Sequence, residues 1–159
     1  MKKVIFFVLF IALIISPALA EGAGYPAPKF KNCNEAQKKA IGSAYKRFTK
    51  AVDTSSGMSE DIRKKLKKKL NGTITFNCST SADPDCSGTC AYTYVNTAEI
   101  FLCPGGFNSS GCGCLEAVEL HELVHTTGYS GESVPQECEK SCFPECAKTD
   151  PKYTGCCCK

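Results

Sequence analysis

The chain has 159 residues, of which 13 are cysteine, 2 are histidine and none is tryptophan, and this length is typical of one domain. Residues 1–20 have the pattern of a secretory signal peptide, because Lys2 and Lys3 precede an apolar run of 12 residues and small residues lead to a cleavage site near Ala20. Without the two lysines, residues 21–159 carry 17 basic and 16 acidic groups, which disfavours a nucleic-acid partner. No second apolar stretch could span a membrane. We therefore expect an exported monomer, either extracellular or periplasmic.

The cysteines all lie after the predicted signal peptide, and at this density in an exported chain they predict disulfides. Their number is odd, so at most six bridges can form and one thiol is left over. Cys112 and Cys114 are too close for a comfortable mutual bridge. The spacing of Cys138, Cys142 and Cys146 could place three thiols on one helical face as a zinc cluster. Structural disulfides are the favoured interpretation in an oxidising compartment.

The first half of the exported chain predicts an extended arm followed by two helices. Residues 21–32 are rich in glycine and proline and predict the arm. Asn34 can cap a helix that runs to about Asp53, with apolar residues at a helical period. A second helix is predicted over 59–70, with an aliphatic stripe and a face of six basic residues. That face could bind a membrane surface or a polyanion, although a solvated helix face is the simpler interpretation.

The second half predicts strands and then helices. Strands are predicted over 73–78, 91–95 and 98–103, because these segments are rich in β-branched and aromatic residues. A third helix is predicted from near Leu115 to a cap at Gly128. Ser133 could cap a last short helix that ends near Cys142, before a cysteine-rich tail. The fold class is then a small, disulfide-rich α+β domain over 33–159, with helices packed on a short twisted sheet.

The motif that carries chemistry is His-Glu-Leu-Val-His over 121–125. On a helix, His121 and His125 lie one turn apart on the same face, and two imidazoles at that spacing can bind one Zn²⁺. Glu122 could take a proton from a water molecule beside the metal. Both histidines of the chain lie in the motif, so we expect one Zn²⁺ per chain.

This motif resembles that of the zincin metallopeptidases, in which it lies on a helix under a twisted sheet. Over residues 98–128 the chain is similar to the deuterolysin-like branch and the lysine-specific metallo-endopeptidases, where a strand ending in Cys-Pro, here Cys103-Pro104, precedes the zinc helix. The resemblance implies that His121 and His125 bind zinc and that Glu122 is the catalytic acid/base. The Gly-Thr-x-Asp segment that supplies the third ligand in that branch is missing after the motif.

A third ligand is expected to be a carboxylate, because no third histidine remains. Glu132 lies just past the turn at Gly128 and is our first choice. Glu137, in the first turn of the last predicted helix, is the alternative, and Glu139 and Asp150 are less favoured. Tyr129 could donate to an oxyanion beside the metal, although an ordinary half-buried tyrosine is the simpler interpretation.

The sequence therefore predicts a secreted zinc metallo-endopeptidase that hydrolyses protein or peptide substrates, with the edge of the sheet aligning an extended substrate. One alternative is a non-enzymatic, cysteine-rich binding or toxin-like module in which the motif holds a structural zinc. Another alternative is a membrane-active protein that works through the basic helix.

Overall fold

The computed structural model describes residues 24–144, apart from the side chains of residues 109 and 110. The predicted signal peptide, Cys146, Asp150 and the end of the cysteine-rich tail lie outside the described residues. The prediction of a small, disulfide-rich α+β domain is confirmed. In chain order the strands and helices are β1 (Lys29–Lys31), α1 (Glu35–Thr54), α2 (Glu60–Leu70), β2 (Thr75–Cys78), β3 (Ala91–Thr93), β4 (Glu99–Leu102), α3 (Ser109–Cys112), α4 (Leu115–Thr126) and α5 (Ser133–Cys142).

Helix α1 begins after the predicted cap, Asn34, and α2 begins one residue after Ser59, the first residue of the predicted second helix. The Asn34 side chain accepts a hydrogen bond from the backbone N–H of Gln37 at 2.9 Å, and the Gln37 side chain accepts one from the backbone N–H of Asn34 at 2.9 Å. This reciprocal pair satisfies donors that the first helical turn leaves without partners. Ser59 caps α2 through a single bond, in which its side-chain oxygen accepts from the backbone N–H of Ile62 at 3.4 Å. Both helices turn their apolar stripes into the core.

The sheet has the strand order β1-β2-β4-β3. The first three of these strands are parallel, and β3 is antiparallel to β4 and forms one edge. The other edge, β1, is the end of the predicted extended arm, where Phe30 pairs with Phe76 of β2. Alternate residues of the central strands, such as Phe76 and Ile100, are fully buried against the helices.

Three disulfides join described cysteines on the sheet side of the domain. Cys33–Cys78 ties the end of β1 to β2, and Cys86–Cys103 and Cys90–Cys112 cross-link the loops around β3 and β4. Because Cys112 bonds to Cys90, it does not bridge to Cys114, as predicted. Closing loops of 17 to 45 residues in the unfolded chain contributes about 3–4 kcal/mol per bridge in a chain-entropy account.

Helix α4 lies at the centre of the domain and contacts α1, α2, α5, β3 and β4. Ten of its 12 residues are buried. Three of these are carboxylates at three-residue intervals, Glu116, Glu119 and Glu122. The helix that carries the motif is therefore held from several sides, and its charged groups are largely removed from water.

Four of the six basic side chains of α2 are used in contacts within the domain. Arg63 donates to the carbonyl oxygens of Val52 and Ser55 at the end of α1. Lys65 contacts Asp61 and Tyr129, and Lys67 contacts Asp53. Lys69 donates to the carbonyl oxygens of Asn96 and Thr97. Lys64 and Lys68 are exposed. The basic face therefore serves mainly to dock α2 against its neighbours.

Two further observations refine the sequence predictions. Helix α5 has Glu132 at its N-cap position and Ser133 as its first residue, and Glu132 makes no side-chain capping bond. The predicted cap at Ser133 is therefore one residue late. Among the described residues, no helix has the length and the apolar character that crossing a membrane requires.

Candidate metal site

The two histidines of α4 project from the same face of the helix, as their spacing predicts. Their Nε2 atoms are 3.1 Å apart, and the rings are inclined at 62° to each other. The side chain of His121 is 14% exposed and that of His125 is 11% exposed. The pair therefore offers two nitrogen donors at the edge of the core, where a small ligand could still enter.

Glu132 approaches this pair from the beginning of α5. Its Oε2 lies 3.0 Å from Nε2 of His121, and its Oε1 lies 3.6 Å from Nε2 of His125. Among the described residues, the cluster able to hold a metal ion consists of His121, His125 and Glu132. The structure thus brings the first-choice carboxylate to the histidines, and it does not place Glu137 in this cluster.

The geometry of these three side chains fits a zinc ion. In a tetrahedral site with bonds of about 2.0–2.1 Å, neighbouring ligand atoms are about 3.3–3.4 Å apart. The Nε2–Nε2 separation of 3.1 Å and the 3.0 Å from Oε2 of Glu132 to Nε2 of His121 are close to that value, and the second oxygen of Glu132, Oε1, lies 3.6 Å from Nε2 of His125. Two imidazole nitrogens and one carboxylate oxygen are also a donor set that Zn²⁺ accepts. Three protein ligands leave the fourth position of a tetrahedron for a water molecule or a substrate atom.

The other ring nitrogen of His125 is held by the backbone. Its Nδ1 lies 2.6 Å from the carbonyl oxygen of Tyr129. Because a carbonyl oxygen can only accept, Nδ1 must carry the proton, and the lone pair of Nε2 then faces His121 and Glu132. Such an outer contact orients a histidine ligand and fixes its tautomer.

The other ring nitrogen of His121 faces Glu139, a residue that the sequence analysis ranked low. Oε1 of Glu139 lies 2.5 Å from Nδ1 of His121, although the oxygen is off the axis of a well-directed hydrogen bond from that nitrogen. Burial favours neutral His121, but the carboxylates of Glu139, Glu122 and Glu132 outweigh it and raise its pKa. Glu132 and Glu139 are seven residues apart, which is two helical turns, so the sequence places them on one face of the last helix but does not show that this face meets His121.

Glu122 is almost fully buried, with 6% of its surface exposed. Burial raises its pKa to about 7, with His121 acting in the opposite direction and the charges of Glu132 and Glu139 adding to the increase. A carboxyl group with this pKa can both take and give a proton near neutral pH, as a general acid/base requires. Glu122 therefore lies on the motif helix beside His121 as a buried carboxyl group with a raised pKa.

Tyr129 turns its hydroxyl group away from the cluster. The oxygen accepts a hydrogen bond from Nζ of Lys65 at 3.0 Å and donates one to Asp61 at 3.3 Å. These partners make the phenol an anchor between α2 and the loop after α4 rather than an oxyanion donor. Cys138 and Cys142, two of the three cysteines whose spacing could place them on one helical face, both lie on α5.

No protein-family model, curated protein or solved structure matches this chain in any of the three comparisons. What the site does must therefore be inferred from its own residues and geometry.

Proposed function

We propose that this protein is an exported zinc metallo-endopeptidase that holds one Zn²⁺ through His121, His125 and Glu132. The observation that carries the proposal is the convergence of two Nε2 atoms and one carboxylate at zinc-like separations, with buried Glu122 beside them. The resemblance to the zincin metallopeptidases favours the same conclusion, because α4 packs against strands β3 and β4 of a small sheet. Export is supported by the three disulfides, which are typical of oxidising compartments.

In this proposal Glu122 is the group that moves the proton. Bound at the site, Zn²⁺ would supply Lewis-acid chemistry, polarising a carbonyl group and lowering the pKa of a water molecule. Glu122 accepts a proton from the attacking water and returns it to the departing amine. Support for this role is that Glu122 adjoins His121 on α4 and is almost fully buried.

The substrate is proposed to bind as an extended strand along β3. This strand is at the edge of the sheet, with β4 as its neighbour in the described sheet, and it packs on α4. An extended peptide can add to such an edge through main-chain hydrogen bonds, which would bring its backbone close to the motif helix. A protein or peptide chain is therefore the substrate class that the arrangement favours.

The proposal is tested by replacing Glu122 with Gln, which keeps the size of the side chain and removes the base. Hydrolysis of a broad peptide library should fall by at least about a hundredfold, while zinc content stays unchanged. Glu35→Gln is the matched control, because Glu35 is 89% exposed at the start of α1, and this variant should keep full activity.

The non-enzymatic alternative makes the opposite prediction. If the zinc-loaded wild-type protein cleaves no peptide in the library and X-ray absorption shows four protein ligands around the metal, the site is structural and the peptidase proposal is wrong. If Glu122→Gln retains wild-type hydrolysis, the zinc site is catalytic but Glu122 is not its base.

A further inference from the structure

We infer that Lys65 and Asp61 of α2 are positioning residues for the metal ligand His125, and that they act through Tyr129. The inference rests on the proposed zinc site and adds residues that lie outside it. It assigns a task to part of the basic face of α2, which the sequence alone left as a solvated surface or a membrane-binding surface.

Tyr129 contacts the metal ligand His125 through its backbone. The carbonyl oxygen of Tyr129 lies 2.6 Å from Nδ1 of His125, so the position of this carbonyl sets the orientation of the imidazole ring. Tyr129 lies in the loop between α4 and α5, after a turn in which Gly128 has φ of +110°. A left-handed residue of this kind ends the helix, and the carbonyl therefore depends on contacts made outside the helix.

An anchor on α2 holds the loop. The Tyr129 hydroxyl group accepts from Lys65 at 3.0 Å and donates to Asp61 at 3.3 Å, and these two side chains form an ion pair at 2.8 Å. Lys65 and Asp61 lie one turn apart on α2, so the three groups close a polar triangle. The backbone of the loop is thereby fixed to a second helix.

Glu132, the carboxylate at the end of the same loop, is held near the anchor as well. Glu132 follows Tyr129 by three residues and contacts both histidines. The same anchor therefore limits the movement of two of the three side chains in the cluster. Lys65 and Asp61 are 43% and 68% exposed, so their contact adds little to global stability, and its main effect is local.

The test compares Lys65→Met with Lys64→Met in the full-length, oxidised protein. Lys64 is exposed on the same helix and carries the same charge, which makes it the matched control. We expect Lys65→Met to weaken zinc binding about three- to tenfold, below the 10–100-fold effect of a direct outer-shell partner, because it acts one contact further out. Tyr129→Phe, which keeps the ring and the carbonyl group, should have a similar effect.

A second readout separates positioning from a general loss of stability. The chain has 2 histidines, so a protein labelled with ¹⁵N-histidine gives signals from two rings. In the wild type, the Nδ1–H proton of His125 should exchange slowly with water, because the Tyr129 carbonyl holds it. In Lys65→Met and Tyr129→Phe this exchange should be faster, with the melting temperature close to that of Lys64→Met.

The inference is overturned if Lys65→Met matches Lys64→Met in both zinc affinity and Nδ1–H exchange. It is also overturned if Tyr129→Phe leaves both measurements at wild-type values. A wild-type protein that binds no zinc would instead refute the proposed function. The tautomer and exchange of His125 in that same protein would still decide whether the anchor positions its ring.

Discussion

The two ends of α4 surround their carboxylates in different ways. At the beginning of the helix, which packs on α1, Glu116 receives two hydrogen bonds from Arg47, at 2.6 and 2.9 Å. One turn later Glu119 is 0% exposed, and within the described structure neither of its carboxylate oxygens has a hydrogen-bond partner. At the far end, which packs on α5, the electrostatic neighbours of Glu122 are His121 and two further carboxylates, Glu132 and Glu139.

The difference shows how burial acts on a carboxyl group when the partner changes. Glu119 has its pKa raised well above the ordinary value of 4.5, first by burial and then by Glu116, while Arg47 acts in the opposite direction. Burial also raises the pKa of Glu122, but only to about 7, since His121 offsets part of the effect. Burial therefore raises the pKa of Glu119 strongly in the middle of α4, whereas near the end of the helix a neighbouring histidine moderates the increase for Glu122.

The largest expected effect concerns Glu132. Glu132→Ala should weaken zinc binding by more than about 100-fold, because loss of an outer-shell partner alone costs 10–100-fold and Glu132 contacts both histidines directly. The control is Glu137→Ala, which should retain wild-type affinity because Glu137 lies outside the cluster. Competition with a chromogenic chelator measures both values. The reverse result would make Glu137 the third ligand.

The next effect concerns Glu119, whose buried carboxyl group has no hydrogen-bond partner among residues 24–144. Glu119→Leu should raise the free energy of unfolding by about 1–3 kcal/mol, because it removes a polar group that is desolvated without a hydrogen bond. Glu116→Leu, three residues away, is the matched comparison. It should give no such gain, because it removes the two hydrogen bonds from Arg47. Urea unfolding of both variants checks this, and a lower stability for Glu119→Leu would indicate that the carboxyl group has an unrecognised partner.

The gain from Glu119→Leu should also depend on pH. Above the ordinary pKa of 4.5 the unfolded chain releases the proton of Glu119, whereas the folded protein keeps it because its pKa is raised. The free energy of unfolding of the wild type therefore falls as pH rises through this range. The leucine variant lacks that contribution, so its advantage should grow between pH 4 and pH 7. A constant advantage would show that Glu119 ionises normally in the folded protein.

The sequence predicted those parts of the fold that depend on local contacts. Asn34 and Ser59 marked the beginnings of α1 and α2, because a capping side chain bonds to a backbone N–H only three residues away. The pairing of β1 with β2 could not be predicted, because it joins Phe30 to Phe76 through packing that no local pattern records. The disulfide pairing was unreadable for the same reason.

In the candidate site, too, the contacts within one helix were predictable and the contacts between helices were not. His121 and His125 were predictable to share a face, because the helical period fixes their separation. Glu132 was predictable as a third ligand because only a short loop separates it from the end of the motif helix. The contacts of Glu139 with His121 and of Lys65 with Tyr129 were not predictable, because they depend on how α5 and α2 pack against α4 and its loop.

Metal analysis of the purified, oxidised protein decides whether His121, His125 and Glu132 hold one zinc ion. We predict one zinc per chain in the wild type and no stoichiometric zinc in His121→Ala or His125→Ala, with circular dichroism confirming that the disulfide-bonded fold persists. A wild-type protein without stoichiometric zinc before any chelator is added, or histidine variants that retain their zinc, would contradict this prediction.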